Sequence, residues 1–86
     1  MINIGIIGFG KMGQIRNRVI SSMKDVNVVS TYDPVNINAE TGNMKSPIHL
    51  IENPEIDAVF ICTPNHLNKP LTIQCLQAGK HVFCEK

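Results

Sequence analysis

Four short apolar runs alternate with two amphipathic segments along the chain, as strands alternate with helices in α/β proteins. The runs are rich in Ile, Val and Phe and contain few polar residues, which is typical of strands buried on both faces of a parallel sheet. We therefore predict β-strands over residues 2–7, 26–32, 57–62 and 81–84.

Two longer segments between these runs have the spacing of amphipathic helices. The first follows Gly13, and its apolar face is formed by Ile15, Val19, Ile20 and Met23. The second is predicted to begin with Asn68 as its N-cap and to end at Gly79. Its apolar face is formed by Leu71, Cys75, Leu76 and Ala78.

The polar segment between the second and third strands is less regular. Ser46 and Pro47 predict the N-cap and first position of a short helix over 48–52, which the following Asn-Pro pair ends. Residues 34–45 contain proline, glycine and several asparagines, and they indicate a loop or a poorly formed helix. Any strand within 40–46 would join the sheet at its outer edge, beside the second strand.

The order of elements predicts the fold class. Strands that alternate with helices in the order βαβ(α)βαβ form a parallel sheet with helices on both faces. We predict the strand order 2-1-3-4. The 86 residues leave room for one small domain, 1–86, and fall short of the usual size of an enzyme with its own substrate pocket.

Composition and charge exclude several classes of function. Eight basic and seven acidic side chains give a formal net charge of +1, so no excess charge attracts nucleic acid or an anionic membrane. No apolar run is long enough to span a membrane, and the N-terminus lacks the pattern of a signal peptide. The three cysteines have neither CxxC nor zinc-like spacing, which indicates reduced thiols in a cytoplasmic protein and no metal site.

A glycine-rich turn follows the first predicted strand and has the spacing GxGxxG over Gly8, Phe9, Gly10, Lys11, Met12 and Gly13. Alone, this spacing also fits a strand–helix turn that binds nothing. A strand before it, a helix after it and an acid at the end of the next strand together predict a dinucleotide site. Gly8 permits the tight turn, Gly10 lets a pyrophosphate approach the backbone, and Gly13 allows the helix to pack closely. The helix N-terminus attracts the phosphates.

Asp33 is that acid, 20 residues after Gly13. Its carboxylate can accept hydrogen bonds from both hydroxyls of the adenosine ribose, and it would repel a 2′-phosphate. No Arg or Lys follows before Lys45 to hold such a phosphate, so we predict NAD rather than NADP. Asp before Pro is also a common turn-forming pair, which is the alternative role of Asp33.

The carboxyl ends of parallel strands share one rim of a sheet, where ligands bind. The residues predicted at this rim besides the glycine turn are Asp33, Thr63, Pro64, Asn65, His66, Glu85 and Lys86. Lys86 could transfer a proton if burial lowered its pKa, although a lysine at a chain end is also commonly a plain surface residue. His66 could act in acid–base chemistry, although a polar first-turn or loop position is the more common role after a Pro-Asn turn.

These residues together resemble the N-terminal domain of the Gfo/Idh/MocA oxidoreductase family. The matching segments are GIIGFGKMG at 5–13, the strand that ends at Asp33, DAVFICTPN at 57–65 and AGKHVFCEK at 78–86. They span nearly the whole chain in the family's order, and the last two are more specific than a glycine fingerprint. The resemblance implies a Rossmann-like fold, an NAD or NADP cofactor and sugars, inositols or related polyols as substrates.

The resemblance also implies roles at matching positions. The three glycines would hold the pyrophosphate and Asp33 the adenosine ribose. Thr63, Pro64 and Asn65 would line the cofactor near its nicotinamide half, and Glu85 would contact the nicotinamide ribose. Lys86 matches the lysine of the family's Glu-Lys-Pro signature, which lies beside the nicotinamide and the substrate and assists proton transfer.

The sequence departs from the family pattern at several points. Family members often have His at the positions of Arg16 and Asn68, and residues 34–45 are too few for the long second helix that is usual there. The proline of the signature and the whole substrate domain are missing after Lys86. We therefore expect the cofactor half of a homo-oligomeric dehydrogenase, inactive by itself. The alternative is a nucleotide-binding module without catalysis that acts with a partner chain.

Overall fold

A four-stranded parallel sheet is the centre of the fold. The structure, a computed structural model, describes residues 1–35, 44, 46–63 and 65–84. Its elements are β1 (Ile2–Ile7), α1 (Lys11–Ser21), β2 (Val26–Tyr32), α2 (Pro47–Ile51), β3 (Ala58–Ile61), α3 (Asn65–Gln77) and β4 (His81–Cys84). The strands pair in the order β2-β1-β3-β4, which confirms the predicted α/β class and strand order.

Helices cover both faces of this sheet, as the alternation of elements predicts. On one face, Ile20 of α1 packs with apolar side chains of the strands: Ile4, Ile6, Val28 and Ala58. On the other, α2 and α3 contribute Leu50, Ile51 and Cys75 to a second core with β1 and β3. β1 and β3 thus have a helix on each face of the sheet, which explains why their residues are apolar on both sides of the strand.

Two local features bring α2 close to the sheet. Ser46 is its N-cap as predicted, and the Ser46 hydroxyl accepts a hydrogen bond from the His49 N–H. Gly5 of β1 lies directly under this helix, since a Cβ there would come within 2.6 Å of Leu50 Cδ2. A side chain at position 5 would therefore push the short helix away from the core.

The predicted apolar face of α1 is only partly buried. The helix begins at Lys11 rather than after Gly13, and Ile20 is buried. Val19 and Met23, however, are 51% and 52% exposed. They border a surface cavity together with Phe60 and Phe83, and Met23 lies just after the end of α1.

The strand and helix at the end of the chain are also more exposed than predicted. β4 has no buried residue, and it pairs only with β3 in the part of the sheet that the structure describes. On α3, Cys75 is buried, but Leu76 is 62% exposed and Ala78 lies just after the helix, also exposed. The prediction that this helical face is buried was correct for Leu71 and Cys75, which pack in the core, and wrong for Leu76 and Ala78.

The start of α3 differs from the prediction. The helix begins at Asn65, one turn before the predicted N-cap. Asn68 is therefore inside the helix and buried, where its Oδ1 accepts a hydrogen bond from the Thr63 hydroxyl at 2.6 Å. This pairing satisfies the amide oxygen that the prediction assigned to capping. Pro70 consequently lies within the helix rather than in its first turn.

The predictions for 34–45 fall mostly outside the described residues, which omit 36–43 and 45. Met44 is described, and its N–H donates to the Thr31 carbonyl at 2.9 Å. Since β2 is the edge strand next to β1 in this sheet, Met44 lies at the outer edge where an added strand was expected.

Candidate functional site

A cavity of about 530 Å³ opens at the carboxyl ends of β1, β2 and β3. This is the rim where parallel sheets bind their ligands, and the volume suits a small molecule or part of a cofactor. Four of the predicted site residues line the cavity: Gly8, Gly10, Asp33 and Thr63. The rest of its wall is formed by Ile7, Tyr32, Pro34, Pro47, Cys62, Leu67, Pro70, Leu71 and Gln74.

The turn from β1 to α1 depends on two of its glycines. Gly8 has φ +91°, a left-handed conformation that disfavours a side chain, and a Cβ there would lie 2.6 Å from the Cys62 carbonyl oxygen. At Gly13 a Cβ would overlap the Gly8 carbonyl oxygen. Gly13 thus lets the first turn of α1 pack against the glycine turn itself.

Gly10 serves a different purpose, because a Cβ at this position would have no atom within 4 Å. The backbone there faces open space beside the cavity. Gly10 is also the N-cap of α1, and it has no side chain to accept a hydrogen bond from the first N–H groups of the helix. A bare backbone next to an uncapped, positively polarised helix end is the environment that binds phosphate.

Asp33 is fixed at the same rim by the backbone around it. Its Oδ2 accepts a hydrogen bond from the Phe9 N–H at 2.8 Å, and its Oδ1 accepts one from the Val35 N–H at 2.9 Å. The Phe9 carbonyl in turn accepts a hydrogen bond from Gln14 Nε2 at 3.1 Å. Asp33 therefore forms the turn before Val35, the alternative role that its sequence context suggested, and its carboxylate lies beside the glycine turn. Its contact with the adenosine ribose stays a prediction.

Thr63 lies at the end of β3, across the cavity from Asp33. Its hydroxyl donates a hydrogen bond to Oδ1 of the buried Asn68, so α3 is joined to the segment that follows β3. The neighbouring Cys62 N–H donates to the Ile7 carbonyl at 2.8 Å, which joins this segment to the end of β1. The two ends of the cavity are thereby parts of one hydrogen-bonded rim.

The remaining predicted site residues are placed differently. Phe9 is buried in the core on the α1 side of the sheet, so only its backbone belongs to the turn. The exposed Lys11 and Met12 start α1, and the exposed His66 lies in the first turn of α3, the polar first-turn position that its context favoured. Pro64, Glu85, Lys86 and the side chain of Asn65 lie outside what the structure describes, so their roles stay predictions.

One wall of the cavity was not predicted from the sequence. Leu67, Leu71 and Gln74 follow each other at helical spacing on α3, and Pro70 lies beside them. The spacing was visible in the sequence, but Leu71 was assigned to the apolar face of the helix and Gln74 was given no role. Only the position of α3 across the cavity from the end of β2 shows that these residues border a cavity.

The described residues also limit other chemistry. They contain no group of three or more His, Cys, Asp or Glu side chains placed to hold a metal ion. All three cysteines are free thiols, as predicted. None of the helices in the described ranges has the length and apolar character needed to cross a membrane.

Known proteins are similar to this chain in fold and in sequence. The model of the Gfo/Idh/MocA family, described as an oxidoreductase family with an NAD-binding Rossmann fold, matches residues 2–86. The chain is 33% identical to a myo-inositol 2-dehydrogenase of Thermotoga maritima, over 99% of this chain and 28% of the relative. It is 34% identical to the 2,7-anhydro-N-acetylneuraminate hydratase of Escherichia coli, over 100% of this chain and 24% of the relative.

One solved structure is similar to this chain in both fold and sequence. Biliverdin reductase of Synechocystis, in complex with biliverdin and NADP+, aligns with a TM-score of 0.86 and 32% identity, over 99% of this chain and 29% of that one. The chain thus spans about a quarter of the length of the relatives that it matches. With the sheet order, the glycine turn and the family match in agreement, the chain belongs to the Gfo/Idh/MocA family of oxidoreductases, within its NAD-binding Rossmann fold.

Proposed function

We propose that residues 1–86 are the NAD-binding domain of an enzyme that transfers a hydride between nicotinamide and a carbon of a sugar, inositol or related polyol. The observation that carries this proposal is the shared rim: an open Gly10 backbone, an uncapped helix end and a fixed carboxylate border one cavity. A pyrophosphate fits at the first two and an adenosine ribose at the third.

The chain's own residues divide the work of holding the cofactor. The turn from Gly8 to Gly13 and the N–H groups of α1 bind the pyrophosphate, and Asp33 accepts hydrogen bonds from the ribose hydroxyls. Thr63, Pro64 and Asn65 border the nicotinamide half, and Glu85 binds its ribose. The nicotinamide supplies the hydride acceptor or donor, while Lys86 moves the proton of the substrate hydroxyl. The polyol class is supported by the inositol dehydrogenase among the relatives.

NAD is the proposed cofactor in preference to NADP. The Asp33 carboxylate is held in place by the Phe9 and Val35 amides, so a 2′-phosphate on the ribose would meet a fixed negative charge. The relative biliverdin reductase is in complex with NADP+, so members of this fold differ in this choice. The residue at the end of β2 is the proposed determinant in this chain.

Titration calorimetry with NAD and NADP tests both the site and its selectivity. We expect the 86-residue chain to bind NAD at least tenfold more tightly than NADP, because one charge-assisted hydrogen bond is worth about 1.5–3 kcal/mol. Asp33→Asn keeps the side-chain shape and an acceptor for the Phe9 N–H but removes the charge. We expect the ratio of the NADP and NAD dissociation constants to fall about tenfold in this variant. An unchanged preference in Asp33→Asn would refute the role of Asp33.

Catalysis is proposed for the longer protein rather than for residues 1–86 alone. The cavity lies at the cofactor rim, and relatives of this chain are about four times longer. Val19 of α1, Met23 just after it and Phe83 of β4 are also exposed on one side of the sheet, Phe83 at 57%. Such a patch is usually covered, which supports further protein or a second copy there in a cytoplasmic homo-oligomer.

A further inference from the structure

Gln74 has a polar atom that the fold does not satisfy. Its side chain is on the α3 wall of the cavity, and its Oε1 is buried with no hydrogen-bond partner in the structure. Buried amide oxygens almost always have a partner, so an unpartnered one next to a ligand cavity calls for an explanation. Gln74 also borders a smaller cavity between α2 and α3, so its terminal amide lies between two spaces.

The position of Gln74 relative to the proposed cofactor narrows that explanation, and this step rests on the proposed function. If the pyrophosphate lies at Gly8 and Gly10 and the ribose on Asp33, the adenine attached to that ribose extends past Asp33, away from the phosphates. The cavity continues there between Pro34 and the α3 wall.

The chemistry of that part of the cavity matches a flat base. Pro34, Leu67, Pro70 and Leu71 supply apolar surface, and Gln74 supplies a side-chain amide. Ligand pockets commonly combine apolar walls with a few polar groups that fix orientation. Adenine carries one exocyclic donor, its 6-amino group, and an amide oxygen is a suitable acceptor for it.

We propose that Gln74 selects the base of the dinucleotide, with its Oε1 accepting a hydrogen bond from the adenine 6-amino group. The terminal torsion of a glutamine is soft, so the amide can turn toward the cavity when a donor enters. The unpartnered oxygen favours this turn, because the free side chain has no hydrogen bond to give up.

The test compares NAD with its purine analogue, in which a hydrogen atom replaces the 6-amino group, so that nothing at position 6 can pair with either end of the glutamine amide. Calorimetry on the 86-residue chain is expected to show about tenfold weaker binding of the purine analogue, the effect of one hydrogen bond. Gln74→Met has nearly the same length but no acceptor, and it is expected to bind both dinucleotides alike. Gln77→Met, an exposed change in the same helix, serves as the matched control and is expected to keep the wild-type preference.

Two failures are distinguishable. If the wild type binds NAD and the purine analogue equally, or if Gln74→Met keeps the full preference, the role of Gln74 is refuted while the dinucleotide site stands. If the wild type binds neither dinucleotide, the proposed function fails, and the role of Gln74 fails with it. Thermal unfolding of Gln74→Met without ligand is expected to show no loss of stability, since the variant removes an unpartnered buried oxygen.

Discussion

The three glycines of the turn after β1 differ in what each position tolerates. Gly8 and Gly13 are required by the fold, because side chains there would collide with backbone atoms of Cys62 and Gly8. Gly10 has ordinary backbone angles, φ −75° and ψ −158°, and open space where a Cβ would be. A glycine that the fold does not need, at the rim of a cavity, points to a bound molecule as the reason for its small size.

Gly10→Ala is therefore expected to separate binding from stability. We expect an unfolding free energy within about 0.5 kcal/mol of wild type, since the new methyl meets nothing. NAD affinity should fall at least tenfold, because the methyl occupies the approach to the backbone N–H groups. Urea unfolding and calorimetry on the same sample measure the two quantities.

Gly79→Ala is the matched control for this experiment. Gly79 also has open space around its Cβ position but has φ +76°, and it lies after α3. We expect it to lose about 1 kcal/mol of stability through backbone strain and to keep its NAD affinity. If Gly10→Ala bound NAD as tightly as Gly79→Ala does, the pyrophosphate would not lie against Gly10.

Cys75 links burial to pH dependence. Burial raises the pKa of its thiol from 9.0 to about 11, and the positive charge of Lys80 offsets part of that rise. In the unfolded chain the thiol ionises first as pH increases, so the unfolded state releases its proton between pH 9 and 11 while the folded state retains it. Stability from this group is complete below pH 9 and is lost as the pH approaches 11.

Urea unfolding at pH 8 and at pH 10.5 measures this effect. Cys75→Ala is expected to lose less stability over this interval than wild type, because the titrating group is gone. Cys84→Ala, at an exposed cysteine, is expected to follow the wild-type dependence. Equal pH dependence in the two variants would show that the Cys75 thiol does not titrate differently in the folded state.

At the scale of elements, Lys80 joins the end of α3 to the loop before β3. Its Nζ donates to the Asn53 carbonyl at 2.8 Å and to the Ile56 carbonyl at 2.6 Å, while its own N–H donates to the Cys75 carbonyl. These bonds lie at the amino ends of β3 and β4, opposite the cavity. Within the segment 78–86 that carries the family resemblance, Lys80 thus has a structural role.

Lys80→Met is expected to keep the packing of the aliphatic stem but remove both side-chain hydrogen bonds. The unfolding free energy should fall by about 1–3 kcal/mol, since partly buried carbonyls lose a charged donor. NAD affinity should stay unchanged once the variant is folded, and Lys80→Arg should recover part of the stability. Urea unfolding at pH 7 measures the stability, and calorimetry measures the NAD affinity. A large loss of NAD affinity in folded Lys80→Met would instead place Lys80 in the cofactor site.

The elements that sequence predicted well depend on short-range patterns. The bounds of β1, β2 and β4 were predicted correctly, because each is a short apolar run with a turn signal next to one of its ends. The predicted start of α3 was wrong. Asn68 fits an N-cap locally, and only its hydrogen bond with the Thr63 hydroxyl shows why its amide is accommodated inside the helix.

Burial was harder to predict than secondary structure. Val19 and Met23 have the correct helical spacing for the core, yet whether they are buried depends on what covers the sheet next to β4. The same limit applies to Gln74, since a glutamine on a helix is usually solvated and only the tertiary arrangement places it beside a cavity. The positions of the glycine turn and of Asp33 were predictable from local sequence signals, while their contacts with a cofactor stay predictions.

At the scale of the whole molecule, the described residues form a Rossmann-like parallel sheet with one incompletely covered side. Phe60 and Phe83 stack there with ring centroids 4.8 Å apart, and Val19 and Met23 border them. The cavity with Gly10 and Asp33 is instead at the carboxyl ends of β1, β2 and β3, and residues of α2 and α3 complete its wall. The proposed cofactor site therefore does not depend on what covers β4.

The central claim is that this rim binds a dinucleotide, and a ¹H–¹⁵N NMR titration of the 86-residue chain with NAD tests it most directly. We predict saturable shifts of the amide signals of Gly8, Gly10, Gly13, Asp33 and Thr63, with little change at Gly79 and at the Lys80 end of the sheet. A well-dispersed spectrum in which the signals of the glycine turn and Asp33 do not move at millimolar NAD would contradict the claim.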